Sequence, residues 1–260
     1  MNRPNILGVS SKIVLGAIVF ALAPLCAVAQ TSPPPCPRFP AGSVIQQAPD
    51  IFSNRGVLKV NLTYQTTLDA NNNTLFCYMQ KDGTQSPTLH VHPGDTIVFT
   101  LTNQVPAPTS AASLEPIFSA SANYGKYRRW SNQRYKDMLA MMNMGSKDAP
   151  TQCGDAAQDA SSTNVHYHGT NTSPTCHSDE VIHTLINSGT TFQYQLHIPF
   201  NEPPGLYWYH PHVHGLAEAA LQGGASGALI VEGIGAINEE TEGLPERILM
   251  IRDNPIPGAP

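Results

Sequence analysis

Charge is scarce in this chain. Only 13% of its 260 residues are Asp, Glu, Lys or Arg, and the net charge is -5 at pH 7. No basic run is present to neutralise phosphates, and no basic amphipathic segment to hold a membrane surface, so neither nucleic acid nor a membrane surface is expected as a partner. No two cysteines stand in C-x-x-C spacing, which argues against a zinc or dithiol redox motif. No internal repeat is visible. The longest apolar run, Ile13 to Leu25, falls short of the roughly 20 residues that a membrane-spanning helix needs.

That run has another reading. Arg3 and Lys12 make a positive region before it, and Ala27-Val28-Ala29 supplies small residues after it. Residues 1–29 therefore read as a secretory signal cleaved after Ala29, which predicts a periplasmic or secreted protein. Cys26 raises a lipid anchor as an alternative, but Pro24-Leu25 lacks the small residues such a site wants, and no anchor is expected. Removing the signal leaves Cys36, Cys77, Cys153 and Cys176. An even count in an oxidising compartment points to disulfides, with three pairings open. Cys153 with Cys176 is the local option.

Twenty Gly and 23 Pro make a turn-rich chain. Residues 30–56 are expected to form an extended tail, since Gln30 to Pro49 is rich in Pro, Ser and small residues. From Val57 to Tyr64 apolar and polar residues alternate. Short runs follow at Thr74–Met79, Thr88–His92 and Thr96–Asn103, separated by the turn signals Lys81-Asp82-Gly83-Thr84 and Pro93-Gly94-Asp95. This rhythm argues for an all-β sandwich or barrel. Between about 105 and 163 the alternation stops. The centre of this insertion, Tyr127 to Met144, has a helical pattern, with Met138, Met141 and Met142 at helical spacing. Those methionines could be a soft site for cuprous ion, but a Met-rich face packing on the sandwich is the better reading. Strands are expected again at Asn164–His168, Val181–Ile186, Thr191–Ile198, Leu206–His212 and Ala225–Val231, with a short helix at Leu216–Gln222. Residues 233–260 read as a linker and the first strand, Arg247 to Ile251, of a truncated second domain.

Ten histidines are present. Two segments concentrate them: His166-Tyr167-His168-Gly169 and His210-Pro211-His212-Val213-His214-Gly215. Alternate residues of a strand share a face, so an H-x-H sends two imidazoles to one side, with Cα atoms roughly 6.5–7 Å apart. That is wide for chelating one ion and suits two neighbouring ions. Two such strands side by side would offer four imidazoles. An imidazole-rich site without carboxylate or thiolate suits copper or zinc. His90-Val91-His92 has the same spacing but precedes a turn, and is expected to be solvated. His177, His183 and His197 read as surface or satisfied core residues. Tyr207-Trp208-Tyr209 would wall the site.

These motifs, taken together, resemble the first domain of the multicopper oxidases, the family of laccases and ascorbate oxidases. Pro93-Gly94-Asp95-Thr96 with Leu101-Thr102-Asn103 is similar to that domain's early strand pair. His166-Tyr167-His168-Gly169 resembles its first copper motif, which usually has Trp where Tyr167 stands. Tyr207 to Gly215 resembles the second motif, and Gly224 to Glu232 the closing strand. The resemblance implies a cupredoxin-like (plastocyanin-like) Greek-key β-sandwich over about 57–232, with a partly helical insertion. It implies copper as cofactor, with His166 on the type 2 ion and His168, His210 and His212 on the type 3 pair of a trinuclear cluster. His214 falls outside the family pattern. Asp179 matches the family's acidic residue that assists proton delivery to oxygen, with Glu180 as the alternative.

The departures limit the activity expected of this chain alone. Such a cluster takes eight histidines from two domains, and this chain offers four. Electrons enter the family's enzymes at a type 1 copper marked by His-Cys-His, which is absent. The expected role is the N-terminal domain of an oxidase that reduces dioxygen to water with electrons from a reducing substrate. C-terminal cupredoxin domains, in the same or another chain, would complete it. A non-enzymatic periplasmic copper-binding module and a chain of a two-chain oxidase are the alternatives.

Overall fold

The computed structural model describes residues 36–39, 42–108, 153–155 and 157–252. The expected signal, 1–29, and the helical centre of the insertion, with Met138, Met141 and Met142, lie outside them.

Alternation becomes strand wherever one side of it can be buried. β1 is Asp50–Phe52, β2 Val57–Leu68, β3 Thr74–Met79, β4 Thr88–Val91 and β5 Thr96–Asn103. β6 is Cys153–Gly154, β7 His166–His168, β8 Thr184–Leu185, β9 Thr191–His197, β10 Gly205–His210 and β11 Gly227–Val231. Two short helices accompany them, α1 (Ala217–Gln222) and α2 (Ile234–Ile237). One sheet runs β1-β4-β11-β10-β7 and the other β3-β2-β5-β9, with β6 and β8 as a small ribbon. β2 buries Leu58, Val60, Leu62 and Tyr64, and β5 buries Ile97, Phe99 and Leu101. β9 adds Phe192, Tyr194 and Leu196. These meet Leu89, Val91, Tyr167, Tyr209, Leu229 and Val231 of the other sheet in one core. The fold is thus a cupredoxin-like β-sandwich, with period-2 inward positions from both layers. β4 and β11 are buried throughout, as suits the inner strands of the five-stranded sheet.

The core is unusually phenolic. Phe99 meets Tyr167, Tyr194 and Tyr209 edge-on at 5.8–6.3 Å between centroids, and Tyr78 joins Tyr209 at 5.5 Å. Edge-to-face packing of this kind adds about 0.5–1.5 kcal/mol per pair beyond area burial. Burial raises the ionisation of Tyr78, Tyr167, Tyr194 and Tyr209 far above the ordinary phenol range.

Several expectations change. The sandwich begins at Asp50, inside the expected tail, because β1 pairs in parallel with β4. The Cys36–Cys77 disulfide ties the same tail to β3, and Cys153–Cys176 closes the local pair. Arg38 of that tail donates to the Gly223 carbonyl at the end of α1. Val181–Ile186 shrinks to β8, because Glu180 captures its first amides: Oε1 accepts the N–H groups of Ile182 and His183, and Oε2 the Thr184 hydroxyl. Arg247–Ile251 forms no strand, and Arg252 beyond it donates to the carbonyls of Gly224 and Ser226. Among the described residues no helix is long and apolar enough to cross a membrane.

Candidate metal centre

β7 and β10 are antiparallel neighbours at one edge of the five-stranded sheet. Their register places His166 opposite His210, Tyr167 opposite Tyr209, and His168 opposite Trp208. The tyrosines turn into the core. The histidines and Trp208 therefore share the outward face, as the H-x-H spacing required. Gly169, at a φ of +90°, then turns the chain away, a conformation that L side chains rarely adopt.

Four imidazoles converge there. The His166 ring lies 5.4 Å from His168, 5.3 Å from His210 and 5.1 Å from His212, centroid to centroid. Ligand atoms of His166, His168 and His210 all fall within 4.8 Å of one another. His168 Nδ1 is 3.3 Å from His210 Nε2. That span admits one ion or two neighbouring ions, since nitrogens around a single tetrahedral ion sit about 3.3 Å apart at bonds of about 2.0–2.1 Å.

Backbone and carboxylate groups orient the rings. Asp179 Oδ1 accepts from His166 Nδ1 at 3.0 Å and from the Tyr167 N–H at 3.0 Å. Its Oδ2 faces the Thr172 hydroxyl at 3.4 Å. The Pro211 carbonyl accepts from His210 Nδ1 at 2.8 Å. Both rings therefore carry the proton on Nδ1 and turn Nε2 to the cluster, the arrangement that outer partners impose on metal-binding histidines. Burial, with His166, His168 and His212 as neighbours, pushes the His210 imidazolium down to about 4. Burial and His166 lower His212 as well. Both rings are thus neutral at neutral pH, the form that binds a metal ion. The donor set is all imidazole, which fits copper.

The aromatic triplet divides by face. Trp208 alone flanks the cluster, 4.1 Å from the His210 ring and 5.1 Å from His168. Tyr209 is in the core, where its hydroxyl donates to the Pro87 carbonyl, and Tyr207 donates to the Pro203 carbonyl. The Tyr167 hydroxyl is buried with no hydrogen-bond partner.

The other candidates separate clearly. Asp179 touches His166, whereas the Glu180 carboxylate is used up inside its own loop. There, although burial opposes it, Thr184 and the amides of His183 and Ile182 hold that carboxyl below the ordinary range. His214 is exposed in a turn, and its carbonyl accepts from Gln158. His177 stacks on Phe192 at 4.7 Å, and His183 bonds Glu180. Cys176 is in a disulfide and so offers no thiolate to a metal ion.

His90 corrects the expectation for its segment. It is 6% exposed, not solvated. Nδ1 meets Glu232 Oε1 at 2.6 Å, Nε2 meets Asp50 Oδ1 at 3.2 Å, and Phe52 stacks on the ring at 4.2 Å. Both ring nitrogens are committed to carboxylates, so His90 fastens β1 and the end of β11 to β4. His92 alone behaves as a turn residue, exposed beside Asp95.

Sequence reasoning missed Asn164. It is fully buried just ahead of β7, and its side-chain oxygen accepts the His212 N–H at 2.7 Å. The only signal was a polar residue at a core position of a strand.

Residues 158–234 match the sequence profile of a family described as multicopper oxidase, and that span holds all four clustered histidines and Asp179. No curated protein sequence matches the chain. Similar solved structures include a multicopper oxidase of Campylobacter jejuni described as a metallo-oxidase, at 17% identity and TM-score 0.44, over 75% of this chain and 30% of that one. A laccase-like multi-copper oxidase of Ochrobactrum sp. aligns at 16% identity and TM-score 0.45, over 78% and 32%. One from Pediococcus acidilactici aligns at 14% and 0.44, over 79% and 32%. The chain thus spans about a third of the length of these oxidases. The profile match thus lies on the histidine-bearing edge of a cupredoxin-like sandwich, and over residues 158–234 this chain is similar to a multicopper oxidase domain.

Proposed function

We propose that this chain is the N-terminal copper-binding domain of an exported multicopper oxidase, and that it supplies half of a trinuclear cluster. The observation that carries the reading is the convergence of His166, His168 and His210 on one sheet face, with His212, just past the end of β10, beside His166. By the family pattern, His166 takes the type 2 ion, and His168, His210 and His212 take the type 3 pair. Copper, when bound, supplies the one-electron chemistry by which dioxygen is reduced to water with electrons from a reducing substrate.

The protein's part is orientation and proton control. Asp179 Oδ1 holds the proton on His166 Nδ1, which leaves Nε2 free as ligand. By the family pattern Asp179 also hands protons toward the cluster; its Oδ2 accepts from the Thr172 hydroxyl. Trp208 keeps one flank of the rings dry. C-terminal cupredoxin domains, in this polypeptide or a partner, supply the other four histidines and the type 1 copper through which electrons enter.

Copper titration of the full chain tests the binding half. We expect tight uptake of Cu(II) that His166→Gln or His210→Gln abolishes. Unchanged uptake in both variants would remove the cluster assignment. Intact mass, copper content and oxygen consumption of the protein from its native export compartment test the other half. A mass about two to three times that of this chain, with oxygen consumption, is expected. A lone chain that binds copper without consuming oxygen would leave a copper-binding module.

A further inference from the structure

His212 is placed differently from its neighbours. β10 ends at His210, and Pro211 has no N–H, so no ladder bond fixes the backbone that carries the fourth imidazole. The His212 N–H instead donates to Asn164 Oδ1 at 2.7 Å. The other end of the same amide donates to the carbonyls of Val181, at 3.1 Å, and Thr184, at 3.2 Å. These carbonyls close the loop that carries Asp179. The orientation of the amide is set by its partners: turned over, its NH2 would face an N–H and its oxygen two carbonyls. Every hydrogen of the NH2 is used, and the residue is 0% exposed.

We propose that Asn164 is a positioning residue for the metal centre, setting His212 and the Asp179 loop against one another. This rests on the copper-binding reading above. Asn164 touches no reacting atom. It acts on the cluster from two sides, through the His212 backbone and through the loop whose carboxylate orients His166. Outer partners of metal ligands commonly change metal affinity by about 10–100-fold when removed.

The fold contains its own control. Asn103, also 0% exposed, makes the same three-way set of bonds: it accepts from the Val105 N–H and donates to the carbonyls of Ser161 and Ile186. It bonds no residue of the cluster. Asn164→Ala and Asn103→Ala therefore remove equivalent buried amides, only one of them tied to a ligand.

The experiment compares both variants with the unmutated full chain by Cu(II) titration and by electron paramagnetic resonance of the copper-loaded forms. Both substitutions are expected to lower the denaturation midpoint. Only Asn164→Ala is expected to weaken Cu(II) binding, by about tenfold or more, and to alter the copper hyperfine splitting. Equal affinity and spectra in Asn164→Ala and the unmutated chain would overturn the proposal, as would equal losses in both variants. No copper uptake by the unmutated chain would instead sink the copper-binding reading itself. Should Asn164→Ala not fold, hydrogen exchange of the unmutated chain decides. The His212 amide is expected to be protected like the Tyr209 amide, and free exchange would overturn the proposal.

Discussion

Acidifying the metal-free chain is expected to destabilise it through His210. The residue is 4% exposed, and burial is the largest influence on its ring, reinforced by three neighbouring imidazoles and opposed by the Pro211 carbonyl. The folded chain binds a proton there only near pH 4, against an ordinary value of 6.5. The folded value is the lower one, so the unfolded chain takes up the proton first. Stability is therefore unaffected above pH 6.5, falls as the pH drops from 6.5 toward 4, and levels off below. The full gap sets a ceiling of about 3 kcal/mol. Exposed His168 opens the cluster to water on one side, and screening there brings the expected loss to about 2 kcal/mol. Other groups titrate over the same range, so the assay is a difference. Urea unfolding of the unmutated chain and of His210→Gln, both treated with chelator, is followed at about pH 7 and about pH 4.5. The unmutated chain should lose about 2 kcal/mol more than the variant across that interval. Equal losses would refute the reasoning, because they would mean that His210 takes up its proton as readily folded as unfolded.

Four further outcomes follow from the packing. Asp179→Asn should weaken Cu(II) binding by about 10–100-fold while leaving the fold intact, measured by competitive titration. Tyr167→Phe should be neutral or stabilising by about 1 kcal/mol, since it removes a buried hydroxyl without a partner, whereas Tyr209→Phe should cost about 1–2 kcal/mol by orphaning the Pro87 carbonyl. Denaturant unfolding compares the pair. Gly227→Ala should cost at least about 2–3 kcal/mol, because a Cβ there would overlap the Tyr209 ring; a midpoint unchanged from the unmutated chain would contradict the packing. Replacing Cys36 and Cys77 by Ser should cost about 4 kcal/mol on the loop-entropy account of a 41-residue separation, read from the same unfolding curves.

The parts of the structure legible in the sequence were those governed by local periodicity. Val57–Tyr64, Thr96–Asn103 and Thr191–Ile198 alternate because one face of each is core, and the strands appear there. His166, His168 and His210 put their rings on one face for the same reason, whereas His212 lies past the end of β10. What could not be read depended on partners distant in the chain. His90 has the spacing of the cluster residues, yet Asp50 lies 40 positions away and Glu232 142, and together they make it a structural clamp. β1 is three residues long and owes its form to pairing with β4. The apolar pattern of Arg247–Ile251 was insufficient, since a strand needs a neighbour to bond. Asn164 was invisible for a related reason, as its three partners come from Val181, Thr184 and His212, and no local pattern announces a shared amide.

The alternation that delivers the ligands also makes the cluster a gauge of the interior. Tyr167 stands between His166 and His168, and Tyr209 directly before His210, each pressed against Phe99 from the other side of the sheet. A strand cannot rotate its outward residues without rotating its inward ones. Any repacking around Phe99 would therefore tilt the imidazoles, and a bound copper's spectrum would register changes made in the hydrocarbon interior. Efforts to make this domain more heat-resistant by refilling its core should thus expect to retune its metal centre at the same time.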